Sequence, residues 1–152
     1  MRALLVVDEQ NDFSTQGRAE VLQRIRERVA EVQRERRPIA WLRHRDELGP
    51  KTDWLRDLGV TEILVVGFEA HTLVSSVARE LLSRGFAVSI DPDATAGRDI
   101  EHSILGQQTA DDVRLSALLH LTNMGVTISK RVEEAPYLDW LDGRRGDRVR
   151  SW

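Results

Sequence analysis

The chain has 152 residues, no cysteine and a formal net charge of −3 at pH 7. That length fits one domain, and such a domain folds without disulfides or a structural metal. The lack of cysteine excludes thiol nucleophiles and thiolate metal sites, and the slightly acidic balance argues against a nucleic-acid partner. The apolar start at residues 3–7 is too short for a secretory leader or a membrane span, so we expect a cytoplasmic protein without a membrane partner.

Short apolar strands alternate with helices along the chain. We predict strands at residues 3–7, 39–42, 61–66, 86–90 and 126–128, and helices at residues 18–36, 54–58, 72–83 and 109–124. Apolar runs without polar alternation are typical of strands buried on both faces. The pattern therefore predicts an α/β fold around a parallel sheet.

The loops after the strands are the expected place for a site. In a parallel sheet, ligands bind beyond the carboxyl ends of the strands, which lie along one edge. Residues 8–13, 43–46, 67–72 and 91–99 follow the first four predicted strands. We expect these four loops to form one rim, which Arg98 and Asp99 reach from the fourth loop.

Four short motifs lie at or near these strand ends. Residues 4–13 read LLVVDEQNDF, residues 63–74 read ILVVGFEAHTLV, residues 90–94 read IDPDA, and Gly125-Val126 precede the last strand. Their order and placement resemble the isochorismatase-like hydrolases of the cysteine hydrolase superfamily over about residues 1–130. The resemblance implies a three-layer α/β/α sandwich with five or six parallel strands in the Rossmann-like order 3-2-1-4-5, and a homo-oligomer, a dimer or larger.

The resemblance also implies functions for individual residues. Asp8 matches the family's catalytic acid, and Lys51 is a weak match to the lysine that assists it. Residues implied to bind the substrate are Phe13, His44, Gly67, Glu69, Ala70 and His71. The family's nucleophilic cysteine falls on Leu73, six residues after Gly67.

Two departures from the family leave the activity open. Leucine cannot act as a nucleophile, and only about a dozen residues replace the family's long segment with its lid and lysine. We therefore expect a non-catalytic or vestigial hydrolase-fold protein. The alternative is a cysteine-independent hydrolase that cleaves an isochorismate-type vinyl ether, with Asp8 as general acid because an apolar pocket would raise its pKa. A third hypothesis, overlapping the first, is a module that binds a partner protein.

The remaining expectations concern organisation and ligands. We expect one domain at residues 1–130 and a charged, aromatic tail at residues 131–152 that contacts a neighbouring subunit. A small-molecule ligand is compatible with the rim, whereas no cofactor and no metal are expected, since Arg43 and Arg45 flank His44. The arginines of the first helix are expected on its exposed face.

Overall fold

A computed structural model describes residues 1–8, 18–43 and 45–129, with the backbone alone described for Asp8. The predicted residues Phe13 and His44 and the tail at 131–152 lie outside this part of the chain. The elements are β1 (Arg2–Asp8), α1 (Arg18–Arg34), β2 (Ile39–Arg43), α2 (Leu48–Asp57), β3 (Glu62–Phe68), α3 (Leu73–Ser83), β4 (Ala87–Ala96), β5 (Ile100–His102), β6 (Gly106–Gln108), α4 (Ala110–Asn123) and β7 (Thr127–Ile128).

Five strands form a parallel sheet in the order β2-β1-β3-β4-β7, which confirms the predicted α/β class. Counted along the predicted strands, this order is 2-1-3-4-5 and not the expected 3-2-1-4-5. The difference arises because the chain places one strand, β2, on one side of β1 and then crosses to the other side to form β3. The reversal makes the gap between β1 and β3 the switch point of the sheet, where ligands bind in such folds.

Helices cover both faces of the sheet because the central strands are apolar on both. On one face, Ile25 and Val32 of α1 pack with Leu4 and Val6 of β1. On the other face, Leu5 and Val7 belong to a larger cluster that includes Leu55 of α2, Leu81 of α3 and Leu121 of α4. This division gives the expected three layers, with α1 alone on one side among the described helices.

Strand β4 is longer than predicted because it contains a bulge. Ile90 pairs with Val65, whereas Thr95 pairs with Gly67 two residues later on β3, so β4 carries three extra residues there. The Thr95 hydroxyl donates to the Asp91 carbonyl at 2.9 Å, and the Asp93 N–H donates to the Asp91 carboxylate at 3.0 Å. Pro92 fits such a bulge because it has no N–H to leave unpaired.

Two further elements differ from the sequence-based prediction. Helix α2 begins at Leu48 and not at Trp54, and Pro50 is accommodated because it lies in the first turn, where no N–H bond is required. Residues 100–108, expected to be a loop, form the antiparallel β5–β6 hairpin. The His102 Nδ1 accepts from the N–H groups of Ile104 and Leu105 at 3.2 Å, which closes its turn.

Candidate functional site at the carboxyl rim of the sheet

The rim is built from the residues that follow β1, β2, β3 and β4, as their parallel arrangement requires. Asp8 is the last residue of β1 and lies in register with Arg43 at the end of β2. The Ala70 N–H donates to the Ala96 carbonyl at 2.8 Å, so the turn after β3 is tied to the end of β4. The carboxyl ends of β1, β2, β3 and β4 therefore lie along one edge of the sheet, as expected.

Gly67 sets the distance between β1 and β3 at this edge. Its φ is +128°, and a Cβ added there would lie 1.8 Å from the carbonyl oxygen of Val7. A residue with a side chain would therefore collide with β1. Gly67 thus shapes the switch point through its backbone, because it has no side chain to offer a ligand.

A compact turn leads from β3 into α3. The peptide bond between Phe68 and Glu69 is cis. The carbonyl oxygen of Glu69 accepts from the N–H of Thr72 at 3.2 Å and from the N–H of Val74 at 3.1 Å. These bonds place Leu73 at the first position of α3.

The side chain of Leu73 contacts the hydrophobic core. Its side chain is partly buried and packs against the larger core cluster, close to residues of α3 such as Val74 and Val77. Ala70, two residues after the end of β3, is fully buried. The turn therefore directs apolar side chains into the core at the two positions where the sequence predicted a substrate contact and the nucleophile position.

Glu69 is a buried acid in the turn after β3. It is 4% exposed, and its Oε2 lies 3.5 Å from Nε2 of His71 and 3.4 Å from Nε of Arg98. Its other oxygen, Oε1, has no hydrogen-bond partner among the described residues. A buried carboxylate therefore lies beside an imidazole and a guanidinium, and the sequence-based prediction had placed Glu69 and His71 among the substrate-binding residues.

Lys51 is held at the outer end of the rim, on α2 and not in a loop. Its Nζ lies 3.3 Å from Asp46 Oδ2, and the same carboxylate oxygen accepts from the Arg43 N–H at 3.0 Å. The Arg43 N–H and, after it, Lys51 lower the pKa of Asp46 below its ordinary value of 3.8. Lys51 is thus paired with an acid of the connection between β2 and α2, and β2 lies next to the strand that ends in Asp8.

A second buried charge cluster joins α1 to the sheet and was not predicted. Asp91 is fully buried, and its Oδ2 accepts from Nε of Arg28 at 2.6 Å and from Nε of Arg24 at 3.2 Å. Burial lowers the pKa of Arg28, but its bonds to Asp91 and Glu31 outweigh this effect and raise it. The expectation that these two arginines are exposed is wrong. The sequence contains one signal for this contact. Arg24 and Arg28 are four residues apart, which places both on one face of the helix.

The described ranges contain no candidate for a metal site or for a membrane-spanning helix. Within residues 1–8, 18–43 and 45–129, no three histidine, aspartate or glutamate side chains are grouped so that they could hold a metal ion. No helix in the same ranges is both long and apolar enough to span a bilayer.

Comparison with known proteins identifies the fold. The family model of the isochorismatase domain matches residues 50–111, and no curated protein matches the chain. An isochorismatase from Pseudomonas putida superposes with a TM-score of 0.74 at 18% identity, covering 84% of this chain and 87% of that one. A pyrazinamidase of Pyrococcus horikoshii, solved in complex with zinc, gives 0.68 at 16% identity, covering 86% and 99%.

A nicotinamidase from Staphylococcus aureus has the same architecture, with a TM-score of 0.65 at 17% identity over 84% of this chain and 98% of that one. At such identities the superpositions establish the fold alone. The domain match adds a sequence relationship across α2, β3, α3 and β4, where the turn after β3 lies. The chain therefore has the isochorismatase-like fold, and residues 50–111 of its sequence match the isochorismatase domain.

Proposed function

We propose that this protein keeps the isochorismatase fold without its cysteine-dependent hydrolysis, and that its rim is vestigial as a hydrolase site. The observation that carries the proposal is Leu73. The family resemblance places a thiol at this position, and the chain contains no cysteine anywhere. Leu73 packs against the core cluster, so the apolar residue is part of the fold.

The position of Lys51 supports the same proposal. A lysine that assists hydrolysis must direct its charge at the reacting group, because preorganised charge supplies much of an enzyme's rate. Lys51 forms an ion pair with Asp46 at 3.3 Å. Only residues 44–47 separate β2 from α2, which leaves little chain for a lid that would exclude water.

Hydrolysis assays test the proposal directly. The substrates are nicotinamide and pyrazinamide, which the names of two structural neighbours suggest, and isochorismate. We expect the wild-type protein and the Asp8→Asn variant to give the same background rate with all three. Turnover by the wild type that disappears in Asp8→Asn would contradict the loss of activity.

A second candidate function is cysteine-independent hydrolysis of an isochorismate-type vinyl ether. The observation that favours it is the pair of buried Glu69 and partly buried His71, 3.5 Å apart in the turn after β3. In this reaction Asp8 would protonate the vinyl-ether carbon, water would add to the resulting cation, and the C–O bond would then break. Turnover of isochorismate alone, lost in Asp8→Asn and reduced in Glu69→Gln, would select this function over the first.

We also propose that the protein acts as a homo-oligomer in the cytoplasm, with residues 131–152 as a separate tail that contacts a neighbouring subunit. Support comes from apolar surface on the β5–β6 hairpin and α4. Ile104 and Leu105 at the hairpin tip are 86% and 85% exposed, and Leu119 on α4 is 71% exposed. Adjacent large apolar side chains with this exposure are typical of protein-binding surfaces.

A further inference from the structure

A small cavity of about 210 Å³ lies between α3, α4 and the β5–β6 hairpin. Its polar lining residues all donate hydrogen bonds or can carry positive charge, and the described part of the lining contains no aspartate or glutamate: His71, Ser75, Arg79, Gln108, Ser116 and His120. We propose that this cavity binds a small dianion, either a phosphate group or a dicarboxylate.

The two helices present matching pairs of side chains to the cavity. Ser75 and Arg79 are four residues apart on α3, and Ser116 and His120 are four residues apart on α4. Residues at this spacing lie on one face of a helix, so each helix directs one hydroxyl and one basic group at the same space. An oxyanion between them would receive hydrogen bonds from opposite sides.

Arg79 provides the strongest argument for an anion. Its Nε donates to the Ser75 hydroxyl at 3.4 Å, and within residues 1–8, 18–43 and 45–129 it has no carboxylate partner. Two other arginines of this region do have carboxylate partners. Arg84, the residue after α3, pairs with Glu80 at 2.7 Å, and Arg114 of α4 pairs with Asp111 at 2.6 Å. A guanidinium without a carboxylate, directed at hydroxyl and imidazole donors, is suited to bind two oxygens of one ligand.

The nearby acid does not reverse the charge of the cavity. Glu69 lies behind His71, 3.5 Å away, but Arg98 approaches the same carboxylate oxygen at 3.4 Å and offsets its charge. The rest of the lining is apolar and carries no charge: Ile100, Val113 and Ala117. The volume is below the range of about 300–1,000 Å³ for pockets of drug-sized ligands, so a small ligand is favoured.

Isothermal titration calorimetry with the full chain tests the proposal, in phosphate-free buffer of low ionic strength. Inorganic phosphate and malonate are titrated separately, with chloride as a monovalent control. We expect saturable binding of at least one dianion and none of chloride. The Arg79→Met variant should bind about tenfold more weakly or worse, because a hydrogen bond to a charged group contributes about one to two decades of affinity.

Arg34→Met is the matched control, since Arg34 is an exposed arginine on α1 across the sheet. It should bind as the wild type does. Binding of phosphate alone assigns the site to a phosphate group, and binding of malonate alone assigns it to a dicarboxylate. Binding of neither dianion, or equal weakening by Arg34→Met and Arg79→Met, would overturn the proposal. Arg79 is exposed, so its replacement leaves the fold intact for the measurement.

Discussion

At the scale of single residues, Gly67 carries the tightest steric requirement of the switch point. Replacement by alanine would place a methyl group 1.8 Å from the Val7 carbonyl oxygen and would hold an unfavourable φ of +128°. We expect Gly67→Ala to lower the free energy of unfolding by about 2–5 kcal/mol, the sum of backbone strain and overpacking. Urea denaturation followed by circular dichroism measures this loss.

Gly59→Ala is the matched control for that experiment. Gly59 also has a positive φ, +79°, but no atom lies within 4 Å of the Cβ it would gain. The control therefore isolates the backbone cost, about 1–2 kcal/mol for a non-glycine residue in a left-handed conformation. If both variants lose the same free energy of unfolding, contact with the Val7 carbonyl does not contribute to the effect of Gly67→Ala.

The pair of Asp46 and Lys51 makes a prediction about pH. The pKa of Asp46 is lowered, so its contribution to stability is complete above the ordinary value of 3.8 and is lost as the pH falls through the lowered value. In Lys51→Met, the pKa of Asp46 should rise only part of the way to 3.8, because the Arg43 N–H is the larger cause. NMR titration of the Asp46 carboxyl carbon measures both values. A full return to 3.8 would show that Lys51 alone holds the carboxylate.

At the scale of elements, Asp91 of β4 connects α1 to the sheet through ion pairs. Its carboxylate is fully buried and accepts from both Arg24 and Arg28, and Arg28 is itself 6% exposed. We expect Asp91→Asn to destabilise the protein by about 3 kcal/mol, the lower end of the range for breaking a buried ion pair, since Arg28 loses its buried partner and keeps only Glu31. Hydrogen exchange should show the largest loss of protection in α1.

Arg26→Met serves as the control for the α1 contact. Arg26 is exposed on the same helix, and surface substitutions usually change stability by less than about 0.5 kcal/mol. Replacing Asp91 together with Arg28 by apolar residues should recover part of the loss, because the charge of the more deeply buried arginine is then removed as well. If Asp91→Asn exchanges like the wild type throughout α1, the ion cluster does not anchor the helix.

The strands and the long helices could be predicted because their hydrophobic patterns are local. The strand starts and the ends of α3 and α4 lie within one residue of the prediction. The bulge in β4 could not be predicted, since it depends on pairing with β3 and on the bonds that Asp91 makes. Helix α2 was predicted too short because Gly49 and Pro50 are typical of loops, yet both are tolerated in a first turn.

The candidate site was predictable in position but not in its internal contacts. Strand ends in a parallel sheet converge, so the sequence sufficed to place Asp8, Glu69 and Leu73 at one rim. The approach of Arg98 to Glu69 depends on the path of the chain after β4, and the pairing of Lys51 with Asp46 depends on where α2 begins. These are tertiary contacts, and the periodicity of apolar residues along the sequence does not predict them.

At the scale of the whole molecule, charged and apolar surface are unevenly distributed. Helix α4 is not strongly amphipathic, since Val113 and Leu121 are buried while Leu115 and Leu119 on its other side are exposed. The rim, by contrast, has its acids and bases in contact with each other, as in the pairs Glu69–Arg98 and Asp46–Lys51. The apolar surface next to the hairpin is therefore the face on which our proposal places a second copy.

Sedimentation velocity tests this proposal for assembly. We expect the wild-type chain to sediment as a homo-oligomer and the double variant Ile104→Ser, Leu105→Ser to shift towards the monomer, because two nearly fully exposed apolar side chains would be lost from the contact. The fold should survive, since neither side chain belongs to the core clusters. Leu58→Ser, which changes a 43% exposed leucine at the end of α2, should leave the oligomer intact. A wild-type monomer at all concentrations, or equal dissociation in the two variants, would exclude the hairpin tip as the contact between copies.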